Sequence, residues 1–206
     1  MAAYKPQLIL ASASPRRQDL LQQMGLQPSK IIPADIDETP FPDEQPEHHV
    51  RRLALEKARA VNALPDVQGC FLIAADTIVV MGRRILGKAQ STDEAHTFLK
   101  QLSGRRHRVI SGVAVINPQG KTSVKSVTSV VRFKTLSHDE ISTYIESGDW
   151  QGKAGAYGIQ GFAGCFVQQI KGSYPNIVGL PLFETKNMLE GLGFPVLTTI
   201  REGQIT

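Results

Sequence analysis

Cysteine is nearly missing from this chain of 206 residues, with Cys70 and Cys165 the two present. They lie far apart and in no metal-like spacing, which argues against a disulfide framework or a zinc site. Both are expected to be small buried hydrophobes of a reducing compartment. No apolar run approaches the length that crosses a bilayer, so no membrane partner is expected. The N-terminus, Met1-Ala-Ala-Tyr4-Lys5-Pro6, lacks the basic-then-apolar layout of a signal peptide, and a cytoplasmic protein is expected. Aromatic residues make up only 6% of the chain and there is no long basic run. The +4 net charge instead comes with arginines in pairs: Arg16-Arg17, Arg51-Arg52, Arg83-Arg84 and Arg105-Arg106. That pattern suits a small polyanion, and nucleic acid is not an expected partner. There is no Gly-x-x-x-x-Gly-Lys-Ser/Thr, which excludes a P-loop, and no Gly-x-Gly-x-x-Gly after the first strand, which argues against dinucleotide binding. With no repeat, low-complexity segment or convincing linker, residues 1–206 read as one domain, long enough to bury a full core.

What is present starts with Leu8-Ile9-Leu10-Ala11, a short buried strand. After it, Ser14 is placed as a helix N-cap with Pro15 at the first helical position. Leu20, Leu21 and Met24 form the apolar face of that helix, and Gly25 stops it. Arg16 and Arg17 occupy the first turn, where cations oppose the helix dipole unless an anion binds. Arginine pairs bidentately with phosphate, so the segment reads either as a phosphate site or as two solvated surface residues.

A brief strand over 29–32 leads into a loop, 33–44, with three prolines and five carboxylates. It reads as a solvated acidic loop or as a source of oxygen ligands for a hard divalent cation. Residues 48–62 have helical periodicity through Val50, Leu53, Ala54, Ala58 and Val61, with Glu56 and Lys57 counted among the solvated charges around the stripe. Asp76 interrupts two apolar runs, 71–75 and 77–80. A carboxylate in a buried strand is costly unless it is paired, hydrogen-bonded or metal-bound, and such an environment is where a general base or a ligand is found.

A hairpin turn at 81–84 returns through Ile85-Leu86 to Gly87-Lys88. Capping boxes at Ser91-Thr92-Asp93-Glu94 and Ser137-His138-Asp139-Glu140 open two helices that Gly104 and Gly148 close. Between them, residues 106–117 and 122–134 read as the two strands of an antiparallel ribbon. The stretch 148–164 holds six glycines, which disfavours regular structure and lets backbone approach a ligand. Lys153, Tyr157 and Gln160 are its polar or aromatic members, and Gln160 can read a nucleobase edge by both donating and accepting. A strand over 165–170 and a last helix over 182–192 complete the chain. Cations for phosphate, carboxylates for metal and base, and a glycine-rich loop with an amide together describe a nucleoside triphosphate site.

The ordered set Ser12-Ala13-Ser14-Pro15-Arg16-Arg17 with Leu20-Leu21, Glu56-Lys57-Ala58, Ala75-Asp76-Thr77, Gly87-Lys88, Leu102-Ser103-Gly104 and Lys153-Ala154-Gly155-Ala156-Tyr157-Gly158-Ile159-Gln160-Gly161 resembles the Maf nucleoside triphosphate pyrophosphatases over nearly the whole chain. The resemblance implies an α/β, inosine-triphosphatase-like domain whose mixed twisted sheet and flanking helices form two lobes around a cleft. It further implies dependence on Mg²⁺ or Mn²⁺ and cleavage of a nucleoside triphosphate to monophosphate and pyrophosphate. Gly158-Ile159-Gln160-Gly161 is similar to the branch acting on dTTP and UTP.

By that similarity Asp76 is the proton acceptor and, with Glu38, lies near the metal. Arg16, Thr77 and Gln160 tune base specificity, while Ser12, Arg17, Lys57 and Lys88 hold phosphates. One departure is Ala89 after Gly87-Lys88, where the family usually has proline. The resemblance also implies a role in clearing nucleotide pools and an association with cell-division arrest. A non-catalytic nucleotide-binding regulator of division is the competing reading, and Asp76 together with the acidic loop favours the enzyme. A homodimer through the 106–134 ribbon is a further expectation.

Overall fold

The computed structural model of the protein describes residues 6–203. The first five residues, read above for their lack of a signal-peptide layout, lie outside the described residues. Among the described residues, seven strands and seven α-helices make a mixed α/β fold. Strands β1 (Leu8–Ala11), β2 (Lys30–Ile31), β3 (Phe71–Met81), β4 (Arg84–Leu86), β5 (Arg106–Ile116), β6 (Thr122–Phe133) and β7 (Val167–Lys171) form one sheet in the order β2-β1-β3-β5-β6-β7, with β4 paired to β3. β1 is parallel to β2 and β3, whereas β3–β4 and β6–β7 are antiparallel. By its contacts the chain divides into two compact units.

The first unit holds the residues up to Asp76, Gly112–Ser126 and the residues from Gly179 onward. Its helices are α1 (Pro15–Gln23), α2 (Pro46–Asn62), α6 (Leu182–Gly191) and α7 (Val196–Gly203). The core of this unit joins Ile9, Ala11, Leu72, Ala74, Ala114 and Ile116 of the strands to Ala54, Ala58 and Val61 of α2. The alanines on both sides let helix and sheet approach closely. At Gly112 the approach is closest, because a Cβ there would stand 2.0 Å from the carbonyl oxygen of Val50.

The second unit comprises Thr77–Ser111 and Val127–Val178. It carries α3 (Thr92–Leu102), α4 (His138–Glu146) and the short α5 (Tyr174–Val178). Its core is aromatic: Phe133, Tyr144, Tyr157 and Phe166 pack with Phe98, Leu99 and Trp150, and Phe133–Tyr157 and Tyr144–Phe166 meet edge to face at 4.9 and 5.5 Å. Edge-to-face pairs add stability beyond the area they bury.

Locally encoded features behave as expected, with informative differences. Ser137 and Glu140 close a complete capping box on α4. On α3 only half of one forms: Ser91 accepts the Glu94 N–H, but the Glu94 carboxylate takes the Gln90 N–H at 2.7 Å instead. Ser14 occupies the N-cap position of α1 without a side-chain cap bond, and its own N–H donates to Ser12 Oγ. Helix α2 begins at Pro46, two residues before the periodic stretch, because proline suits a first turn whose N–H groups need no helical partner. Residues 162–166 form a 3₁₀ turn, so β7 starts at Val167, and α7 follows the helix read as the last. Cys70 is buried, but Cys165 is exposed on that turn, contrary to expectation. Among the described residues no helix is long and apolar enough to cross a membrane.

Candidate active site

The parallel strands β1 and β3 run in register, Leu8 opposite Phe71 through Ala11 opposite Ala74. The chain leaves β1 into Ser12 and the N-terminus of α1, and β3 reaches Asp76 two residues past that register. In open α/β sheets the carboxyl ends of parallel strands are where ligands bind, because helix N-termini and strand-end side chains converge there. β3 does not break at Asp76 but runs unbroken through it, the residue lying between the stretch paired with β1 and the stretch paired with β4. The strand survives because the carboxylate has a partner.

That partner is Lys57. Its Nζ donates to Asp76 Oδ1 at 2.7 Å, and Glu38 Oε1 lies 2.5 Å from the same ammonium. Lys57 and Asp76 are 8% and 7% exposed, so Lys57 is not the solvated helix charge expected of it. It lies on the buried stripe of α2, one or two turns past Val50 and Leu53, and extends its ammonium from that face to the carboxylates. The spacing 50, 53, 57 was the signal in the sequence. A buried charge without a counter-charge is strongly destabilising, which explains why these two are found together.

Arg17 is committed internally. Its Nε donates to the carbonyl of Gly179 at 2.9 Å and its Nη1 to Ser12 Oγ at 2.9 Å. Desolvation lowers its pKa, opposed by the Asp76 charge. Ser12, 6% exposed, thus ties Arg17 to the exit of β1, whereas Arg16 is half-buried in the first turn of α1. The Ser12–Arg17 pair and the Glu38–Lys57–Asp76 cluster both lie in the first unit, and the Asp76 and Glu38 charges act on Arg17 through space.

Among the described residues no three His, Cys, Asp or Glu side chains converge as a metal cage. Two hard oxygen donors, Glu38 and Asp76, do converge on one cation, the Lys57 ammonium. This donor set fits a magnesium-like ion, which takes one or two protein carboxylates and fills its remaining positions with water and substrate phosphate.

In the second unit, Thr77 Oγ1 and Ser111 Oγ share a hydrogen bond of 2.8 Å, and Ser111 Oγ donates to the carbonyl of Asn176 at 3.0 Å. Asn176 in turn donates from Nδ2 to Val109 and Ser129, so Thr77 is held by a buried polar chain. Nothing in the sequence marked Ser111 or Asn176, because their partners lie far along the chain. Lys88 is exposed and forms an isolated antiparallel bridge to Ala154. The glycine-rich loop is pinned there: Gly155 N–H donates to the carbonyls of Leu86 and Gly87. Gly155 has φ +65°, and a Cβ on it would meet the Val79 side chain at 2.9 Å, so the close approach requires glycine.

Of the three side chains singled out in that loop, only Gln160 is exposed, and its amide has no protein partner among the described residues. Lys153 Nζ is taken by the carbonyl and carboxylate of Asp149. Tyr157 is buried, its hydroxyl sharing a 2.8 Å hydrogen bond with His107 Nε2. The ring is therefore core, not a ligand contact. Burial pushes Tyr157 up and pushes His107 down to about 4, so the pair stays neutral near pH 7.

A family model described as Maf-like protein matches residues 7–192. The chain belongs to the Maf family. Among its Maf relatives, a dTTP/UTP pyrophosphatase of Caulobacter vibrioides is 55% identical over 189 residues, covering 92% of this chain and 97% of that one. One of Rhizobium etli, also described as a dTTP/UTP pyrophosphatase, is 53% identical over 205 residues, covering 98% and 100%. Among solved structures, a HAM1 protein from Coxiella burnetii matches at 17% identity and a TM-score of 0.44, covering 62% of this chain and 73% of that one. The Maf motifs that carried the resemblance, from Ser12 to Gly161, all fall within the matched span.

Proposed function

We propose that this chain hydrolyses nucleoside triphosphates to the monophosphate and pyrophosphate, with dTTP and UTP, and modified pyrimidine triphosphates, as substrates. The observation that carries the reading is the Lys57 ammonium shared by Asp76, within β3, and Glu38, in a chain whose relatives at 53–55% identity are described as dTTP/UTP pyrophosphatases. A binding protein has no need of a carboxylate buried beside a displaceable ammonium. A hydrolase needs one to take a proton from water.

In this reading Asp76 is the base. When a triphosphate arrives, its oxygens draw Lys57 away from Asp76, which frees the carboxylate to accept the proton of the attacking water. Lys57, Lys88 and Arg16 neutralise the phosphate oxygens and the charge of the leaving pyrophosphate. Arg17, anchored to Gly179 and Ser12, shapes the phosphate end together with the Ser12 hydroxyl and adds positive potential there. Glu38 and Asp76 would hold Mg²⁺ or Mn²⁺, which supplies charge neutralisation on phosphate oxygens when bound. Arg16, Thr77 and Gln160 set the base preference. We further propose that residues 1–206 act as one catalytic domain in the cytoplasm, as a homodimer, and that the reaction clears triphosphates from the nucleotide pool.

The test is a panel of canonical and methylated triphosphates with Mg²⁺ or Mn²⁺, assayed separately for pyrophosphate and orthophosphate. Pyrophosphate with the highest kcat/KM on dTTP and UTP is expected, and orthophosphate as the first product overturns the reading. Gln160→Ala is expected to lower the preference for dTTP and UTP over the other bases by roughly tenfold, since one amide hydrogen-bond set is lost. An unchanged substrate profile removes Gln160 from base recognition.

A further inference from the structure

Between β2 and α2 the chain crosses residues 32–45 without regular structure, and Glu38 lies in this stretch. Its side chain is 44% exposed, and its Oε1 meets the Lys57 ammonium. A carboxylate on such a segment has no rigid element beneath it, so its placement depends on what ties the loop down.

The tie is a polar cluster on α2, turned toward the loop. Glu44, just before the helix, has its side chain only 8% exposed. Its carboxylate accepts from Arg52 Nε and Nη2, both at 2.7 Å, from His49 Nδ1 at 2.9 Å and from the Phe41 N–H at 3.1 Å. Arg52 also donates to the carbonyl of Thr39 at 3.1 Å and to Glu56 at 3.1 Å, and its guanidinium lies 3.9 Å from the centre of the Phe41 ring. The hydrogen bonds from Arg52 hold the Glu44 carboxyl down at about 2, well below its ordinary 4.5. A bidentate, mostly buried arginine–carboxylate pair of this kind is much stronger than an exposed one.

The cluster therefore grips the loop at three places: the carbonyl of Thr39, the N–H of Phe41 and the ring of Phe41. Thr39 adjoins Glu38. Arg52 and Lys57 stand on the same helix, so the element that grips the loop also carries the cation that Glu38 meets. Asp37 tightens the turn from the other side by accepting the Thr39 N–H at 2.9 Å.

We propose that Arg52 and Glu44 are positioning residues for the reaction, whose ion pair fixes the loop on α2 so that Glu38 reaches the Lys57–Asp76 pair. Neither touches substrate. The inference rests on the reading that Glu38 and Asp76 belong to the catalytic site.

The experiment is a double-mutant cycle on the full chain. Arg52→Lys keeps the charge but cannot bond Glu44 through two nitrogens while reaching Thr39. Glu44→Gln keeps the shape and weakens the same pair, and serves if the first variant does not fold. Each is combined with Glu38→Gln, and kcat, KM for dTTP and the half-saturating Mg²⁺ concentration are measured. Displacing a group by about 1 Å costs up to roughly a hundredfold in rate. The expected result is a kcat reduced by about ten- to a hundredfold with a raised Mg²⁺ requirement in Arg52→Lys and in Glu38→Gln alike, and a double variant no worse than Glu38→Gln alone. Losses that multiply in the double variant overturn the proposal, as does normal Mg²⁺ dependence in Arg52→Lys beside an impaired Glu38→Gln. A fully active Glu38→Gln overturns instead the placement of Glu38 in the site, and the inference falls with it.

Discussion

Asp76→Asn abolishes turnover and leaves the fold standing. The substitution keeps the shape of the side chain and its capacity to accept from Lys57 through oxygen, but removes the negative charge that can take a proton from water. A positioned general base contributes about 10²–10⁴ in rate, so kcat for pyrophosphate release is expected to fall by about that factor. Folding is spared because Lys57 keeps Glu38 as a counter-charge at 2.5 Å, so no buried cation is left alone. Stopped-time assays of pyrophosphate from dTTP, paired with a thermal melt, separate the two effects. Activity within a few-fold of the parent means that another group accepts the proton. An inactive protein that also fails to fold means that the Lys57–Asp76 pair is structural first.

Gly112→Ala destroys the packing of the first unit. Gly112 does not have a positive φ, so the conformation itself admits alanine. The obstacle is contact: a Cβ at this position lies 2.0 Å from the Val50 carbonyl oxygen, 2.4 Å from the Val50 carbonyl carbon and 2.9 Å from the Arg51 nitrogen. All three are backbone atoms of α2, which cannot rotate away as a side-chain tip could. The helix must lift from β5, opening the interface that Ala54 and Ala58 make with Ala74 and Ala114. Overpacking of this severity costs about 3 kcal/mol or more, and a chain of this size then loses about 10 °C in Tm or accumulates as insoluble material. Gly191→Ala is the matched control. Gly191 ends α6 with no atom within 4 Å of an added Cβ, and alanine favours helix, so its melt is expected within about 2 °C of the parent or above it. Equal melts for the two variants rule out the tight helix–strand approach. Because α2 carries Lys57, a folded remnant of Gly112→Ala is also expected to be catalytically impaired.

The polar residues of the site differ in how far the sequence revealed them. Asp76 was visible because charge inside an apolar run is costly and needs a compensating partner, whatever the fold. Glu38 was visible only as one carboxylate among five in a loop. Lys57 was misread as solvated, although its spacing from Val50 and Leu53 puts it on the buried face, because a lysine at such a position is expected to reach for water. Tyr157 was read only as an aromatic member of the glycine-rich stretch, whereas its hydroxyl bonds to His107 and its ring belongs to the second unit's core. Glu44 was another of those five carboxylates and Arg52 one of the paired arginines, whereas His49 and Ser111 carried no signal; none of the four has a readable role until its partners are known.

By itself the sequence determined the elements whose forces act within a few residues: the apolar strands, the capped starts of α3 and α4, the proline-led start of α1, and the family signature spread along them. A cap bond spans three residues, and a helical stripe repeats every three or four, so both are written in neighbouring letters. Tertiary structure alone decided which charges meet. Lys57 reaches Asp76 across 19 positions and Arg17 reaches Gly179 across 162. Burial strengthens those pairings and penalises their absence, and burial is a property of the folded whole, not of any segment of the chain.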